Sequence, residues 1–129
     1  MKQVMIVEDQ KMIRSLLESY IEKEPGYQVA VSIPGANQAP GLCDTMGIDL
    51  ILMDVRMPGM NGIEATERIV QEFPDVRVLV LTTFDLDEYA IGAILGGASG
   101  FLLKDARPTE LVDAIRRVAA GDAAMAPAV

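Results

Sequence analysis

The sequence predicts an α/β fold, a parallel sheet covered by helices on both faces. Five short runs rich in Val, Ile and Leu alternate along the chain with five stretches of helical period. Strict β–α alternation of this kind is the mark of a parallel sheet. Three of the runs are filled almost continuously with apolar residues and show no apolar–polar alternation, as strands covered on both sides do.

The strand candidates are Val4 to Val7, Gln28 to Val31, Leu50 to Met53, Val76 to Thr82 and Gly100 to Leu103. Ile13, Leu16, Leu17, Tyr20 and Ile21, spaced by three and four, mark one helix, and Ile63, Thr66, Ile69, Val70 and Phe73 mark another. Leu111, Val112, Ile115, Val118 and Ala119 mark the last. It has Pro108 near its start and Gly121 beyond its end, the usual asymmetry of helix termini. Asp87 to Leu95 reads as a helix weakened by Gly92. Asn37 to Met46 has the poorest helical pattern, because Pro40 and Gly41 fall where a helix should be settling. With 129 residues and no repeat or internal linker, the chain reads as one domain.

Composition removes several classes of function. Eleven basic against nineteen acidic residues give a net charge of −8, a poor match for a nucleic-acid surface. Histidine is absent and Cys43 is the sole cysteine, which excludes histidine triads, histidine metal sites and an internal disulfide. No apolar run approaches the ~20 residues that cross a bilayer. Met1-Lys2-Gln3 leads straight into a strand rather than a secretory signal, so a cytoplasmic location is expected. Any chemistry must run on carboxylates, hydroxyls and lysine, with or without a metal ion.

In such folds ligands bind beyond the carboxyl ends of the strands, where the strand order reverses. The first strand ends in Glu8-Asp9, the third in Asp54, the fourth in Thr82 and the fifth in Lys104. Singly, each has an ordinary use: turn or helix caps for the acids, a backbone bond for Thr82, a solvated charge for Lys104. Together they are a site. Three clustered carboxylates call for a cation, and oxygen ligands without His or Cys favour Mg²⁺. Once neutralised, one carboxylate can attack a phosphoryl donor, with Lys104 and the Thr82 hydroxyl facing the phosphoryl oxygens.

The residues at these ends also spell a family. The runs 4–9 (Val-Met-Ile-Val-Glu-Asp), 52–62 (Leu-Met-Asp-Val-Arg-Met-Pro-Gly-Met-Asn-Gly), 81–83 (Leu-Thr-Thr) and 97–104 (Gly-Ala-Ser-Gly-Phe-Leu-Leu-Lys) resemble the receiver domain of two-component response regulators. The resemblance covers essentially the whole chain. It implies a flavodoxin-like doubly wound sheet of five parallel strands in the order 2-1-3-4-5. It implies that Asp54 is the phosphoacceptor, that Asp9 is a direct ligand of Mg²⁺ or Mn²⁺, and that Glu8 acts through water. The main-chain carbonyl of Arg56 is implied as a further ligand. Thr82 matches the switch hydroxyl, Lys104 the lysine that pairs with the phosphoryl group, and Phe101 the aromatic switch position.

There are departures. Glu8 stands where aspartate is commoner, Phe101 lacks a hydroxyl, Asp105 stands where many relatives have proline, and 36–45 matches poorly. The runs 82–85 (Thr-Thr-Phe-Asp), 100–105 and 124–129 resemble the NarL/LuxR type of transcriptional regulator. That resemblance implies a receiver over residues 1–121 and the start of a linker over 122–129. A helix-turn-helix domain would follow outside this chain and would be the part that binds DNA. A sensor histidine kinase as phosphoryl donor and a phosphorylation-dependent homodimer are implied too. The expectation is a regulatory domain that assists its own phosphorylation and dephosphorylation, not an enzyme. A stand-alone receiver acting by protein contacts is the second expectation. A flavodoxin-type carrier needs a Ser/Thr/Gly-rich phosphate loop, where this chain has Glu8-Asp9-Gln10-Lys11. A haloacid-dehalogenase-type phosphatase needs an acid two residues past its nucleophile, and that position is Arg56.

Overall fold

The computed structural model describes residues 1–54, 62–82 and 97–121. Strands β1 (Lys2–Val7), β2 (Tyr27–Ile33), β3 (Leu50–Asp54), β4 (Arg77–Thr82) and β5 (Gly100–Leu103) form one parallel sheet in the order β2-β1-β3-β4-β5. Helices α1 (Lys11–Glu22), α2 (Ala39–Met46), α3 (Gly62–Glu72) and α4 (Pro108–Ala119) connect or follow them. The expected fold class and strand order are both present. The helix expected over Asp87 to Leu95 and the linker expected over 122–129 lie outside the described residues.

The unbroken apolar runs follow from packing on two sides. Val4, Ile6, Leu50, Leu52, Leu79 and Leu81 face α1 and α4, through Leu17, Ile21, Leu111, Ile115 and Val118. Met5, Val7, Ile51, Met53, Val78 and Val80 face α2 and α3, through Cys43, Ile63 and Ile69. Alternate residues of each central strand thus enter different cores, so no polar face shows in the sequence. Burial raises the Cys43 thiol to about 11, which keeps it protonated and unreactive near neutral pH.

The segment 37–46 is more helical than its sequence suggests. A short 3₁₀ turn, Ala36–Gln38, leads into α2, and Pro40 sits in the first turn of that helix. A first-turn N–H has no intrahelical acceptor, so proline loses nothing there. Gly47 ends the helix in the left-handed region at φ 61°, a conformation that favours glycine. The second strand runs beyond its expected end to Ile33, after a register slip opposite Val4 and Met5 that skips Ala30.

Near β5 the packing is tight. A Cβ on Gly97 would lie 3.1 and 3.2 Å from the two methyl groups of Val70 on α3. Gly97→Ala should therefore destabilise the protein by about 1 kcal/mol through overpacking. Val70→Ala made in the same chain should recover part of that loss, so that the double mutant costs less than the sum of the single changes. Urea unfolding of the four proteins measures this, and strict additivity would contradict the predicted clash.

Candidate functional site

Because all five strands run in parallel, their carboxyl ends lie on one edge of the sheet. The chain goes from β1 outward to β2 and then back across β1 to β3, so the order reverses between β1 and β3. Glu8 and Asp9 follow β1, and Asp54 is the last residue of β3. Glu8 and Asp54 are fully buried, while Asp9 is exposed. Carboxylate oxygens of these three residues lie within 4.8 Å of one another. Thr82 ends β4 and is buried. Lys104 follows β5 and is held to β4 by a 2.6 Å hydrogen bond from its backbone N–H to the carbonyl of Thr82.

The lysine side chain reaches across two strands. Its ammonium donates to Asp54 Oδ2 at 2.9 Å and stands 3.1 Å from Glu8 Oε1. Towards Glu8 it is a charge neighbour rather than an aligned hydrogen-bond donor, since Oε1 makes no hydrogen bond. Burial alone would lower the lysine pKa, but the hydrogen bond to Asp54 and the nearby Asp54 and Glu8 carboxylates together outweigh it and the value rises. Glu8 moves the other way from an ordinary carboxylate. Burial, with help from Asp9 and the charge of Asp54, lifts it from 4.5 to about 7, against the pull of the Gln10 N–H and of Lys104.

Every polar atom of Glu8 except Oε1 is engaged in a hydrogen bond. Its N–H donates to Ile33 O at 3.0 Å, its Oε2 accepts from Gln10 N–H at 3.0 Å, and its carbonyl accepts from Arg14 Nη1 at 2.8 Å. Glu8 Oε2 therefore holds the N–H of Gln10 just ahead of α1, while its other oxygen faces the lysine. The Thr82 hydroxyl is different, for it is buried and has no hydrogen-bond partner among the described residues.

The structure brings Glu8, Asp9, Asp54, Thr82 and Lys104 to one edge. Phe101 lies one strand away. Its register partner is Val80, two residues before Thr82 on the same strand, and it packs half-buried against the α2–α3 core. Arg56 lies outside the described residues. Sequence reasoning misses Arg14, because the periodicity of α1 is carried by its apolar positions alone. A signal is nevertheless present. Helical side chains tilt towards the amino terminus, so a long cation in the first turn can reach back to the preceding loop.

Comparison with known proteins places these features among relatives. The family model described as the response regulator receiver domain matches residues 4–116. The chain is 36% identical to the transcriptional regulatory protein DegU of Brevibacillus brevis, over 98% of this chain and 54% of that protein. It is 30% identical to the nitrate/nitrite response regulator protein NarL of Escherichia coli, over 98% of this chain and 58% of that one. Among solved structures, a LuxR-family two-component response regulator from Aurantimonas superposes with a TM-score of 0.89 at 37% identity, over 97% of this chain and 89% of that one. The chain spans about half the length of the curated relatives it matches.

The raised Glu8 pKa makes the metal-free fold sensitive to pH. The folded chain holds a proton on Glu8 between pH 4.5 and about 7, a range in which the unfolded chain has released it. The resulting stability is full below 4.5 and is lost as pH rises through 7, by at most about 3 kcal/mol. Glu110, lowered by Arg107, acts in the opposite sense and only below 4.5. Urea unfolding in EDTA at pH 5 and pH 8 should show the decline, and Glu8→Gln should flatten it. A slope unchanged by that substitution would remove Glu8 as its source.

Proposed function

Because the chain belongs to the response regulator receiver domain family, in its NarL/LuxR branch, we propose that it accepts a phosphoryl group from a sensor histidine kinase on Asp54. The carrying observation is the buried Asp54 carboxylate, held by the Lys104 ammonium at 2.9 Å beside two further carboxylates at the reversal point of the sheet. A carboxylate in this setting is a nucleophile whose charge is partly offset by the ammonium. One oxygen of Asp54 attacks phosphorus as the bond to the donor nitrogen breaks, giving an acyl phosphate. Lys104 offers its positive charge to the arriving phosphoryl oxygens, and the Thr82 hydroxyl, without a partner among the described residues, offers a donor.

The donor set fits a divalent cation. Carboxylate oxygens of Glu8, Asp9 and Asp54 within 4.8 Å, with no histidine or cysteine, suit Mg²⁺ or Mn²⁺. Asp9 and Asp54 would hold it directly, Glu8 through water, and Arg56 through its main-chain carbonyl. When bound, the cation supplies positive charge against the phosphoryl oxygens. The same residues would serve hydrolysis of the acyl phosphate, so the domain would assist both gain and loss of its phosphoryl group without being an enzyme that turns over a substrate.

The output reading is a switch. A hydroxyl drawn towards a phosphoryl oxygen leaves space on the sheet face shared by Thr82 and Phe101, and Phe101 can fill it. Burying that ring would favour the active state by up to ~2 kcal/mol. Residues 1–121 form the receiver on this reading, and 122–129 lead towards a helix-turn-helix domain that binds DNA. Receiver domains of response regulators partner with sensor histidine kinases, and α1 with α4 would form the contact of a phosphorylation-dependent homodimer. Among the described residues no helix is long and apolar enough to cross a membrane, in keeping with action in the cytoplasm.

Acetyl phosphate with Mg²⁺ should add one phosphoryl group, labile to hydroxylamine, and Asp54→Asn should abolish it without unfolding the protein. Full labelling of that mutant would sink the assignment. Thr82→Ala should accept the group yet transmit less. Amide exchange across 97–103, compared with and without beryllofluoride, should change in the wild type and remain nearly unchanged in Thr82→Ala.

A further inference from the structure

We propose that Arg14 is a positioning residue for the acidic pair, holding the Glu8–Asp9 peptide in the orientation that aims both carboxylates at Asp54. This inference rests on the metal-site reading given above. Arg14 Nη1 donates to the Glu8 carbonyl at 2.8 Å, and its own backbone N–H donates to Gln10 O at 2.9 Å. The side chain thus bridges the first turn of α1 to the peptide plane that joins the two acids. That stretch of chain is held from its other end too, since Glu8 N–H donates to Ile33 O. The carbonyl direction sets where the Asp9 side chain leaves the backbone, and a carboxylate ligand displaced by an ångström is a poor ligand.

A second observation points the same way. Helix α1 has no side-chain cap and no acidic residue in its first turn, where it carries Lys11 and Arg14 instead. Cations at a helix amino terminus oppose the helix dipole, so α1 viewed alone is charged in the wrong sense. Beside Glu8, Asp9 and Asp54 the arrangement is favourable. Arg14 meets this cluster through a carbonyl rather than a carboxylate, so it adds positive charge without occupying a donor oxygen.

Calorimetric titration of the full 129-residue chain with Mg²⁺ tests the proposal. Arg14→Ala should weaken Mg²⁺ affinity about tenfold, the lower end of what loss of a ligand's supporting partner produces. Its urea midpoint should stay close to that of the wild type. Arg14→Lys, which keeps a donor and the charge, should recover most of the affinity. A wild-type dissociation constant in Arg14→Ala would overturn the inference, and so would Arg14→Lys behaving like Arg14→Ala. Asp9→Ala separates the two levels of the argument. If it too binds Mg²⁺ like the wild type, the metal site itself falls. If it loses the metal while Arg14→Ala does not, only the role of Arg14 falls.

Discussion

Two carboxylates buried at the ends of neighbouring strands must share a cation, and among the described residues Lys104 supplies it. Glu8, just after β1, and Asp54, at the end of β3, have no exposed surface, and the same ammonium lies within 3.1 Å of both. Removing one partner of such a buried group typically costs about 3–5 kcal/mol, because the remaining charge is left without compensation. The exposed pairs Arg68–Glu72 and Arg117–Asp113 belong to a class worth about 0–1 kcal/mol. The geometry of the sheet edge therefore answers to Lys104 and hardly to the surface pairs. β5 must lie at its observed place for a four-carbon stem to span β4 and reach β3 and β1.

One lysine faces two buried acids, and burial, with the charge of Asp54 adding to it, lifts the Glu8 pKa to about 7. A third carboxylate, Asp9, stands exposed beside them. Among the described residues three carboxylates thus face one ammonium, on a side that Asp9 leaves open. That is a stable arrangement for a protein only if the imbalance serves some purpose, since a hydrophobic edge of the same volume would be easier to bury. On the proposed reading the imbalance is what draws a divalent cation and, with it, a phosphoryl group. The helix α1 then makes sense as part of the same field, with Lys11 and Arg14 at the end where a helix by itself would favour acids.

Much of this architecture is legible in the order of residues alone. Continuous apolar runs such as Leu50 to Met53 suit strands covered twice, and strict alternation with helices requires parallel pairing. Once the strands are parallel, their last residues share an edge, so Glu8, Asp9, Asp54, Thr82 and Lys104 can be read together without any distance. The order of the strands is legible only through the family resemblance. Two local features escape. Pro40 looks like a helix breaker, because residue pattern does not distinguish the first turn of α2 from its middle. Arg14 gives no signal because its partner is a backbone carbonyl, and no spacing of residue types encodes a main-chain acceptor. The burial of Glu8 is not legible either. A charge at a strand end reads as exposed, and only packing against Arg14, Gln10 and Lys104 reveals how little water reaches it.

The hydroxyl of Thr82 bears on how such a site communicates. A buried donor without a partner costs roughly 1–3 kcal/mol, and among the described residues Thr82 Oγ1 has none. A coupling between two sites is commonly of the same size, about 1–3 kcal/mol. An acceptor oxygen arriving on Asp54 would relieve the orphaned hydroxyl only if Thr82 turned towards it, so the relief is available to one conformation and not to the other. That difference is the requirement for a ligand to shift a population. Because Thr82 and Phe101 lie on the same face of paired strands β4 and β5, a turn of Thr82 would, on the proposed reading, change the room available to an aromatic ring near the surface. On that reading the apolar transfer of the ring would add a second term of similar magnitude. Hydrogen bonding at the site and burial at the surface would thus favour the same state.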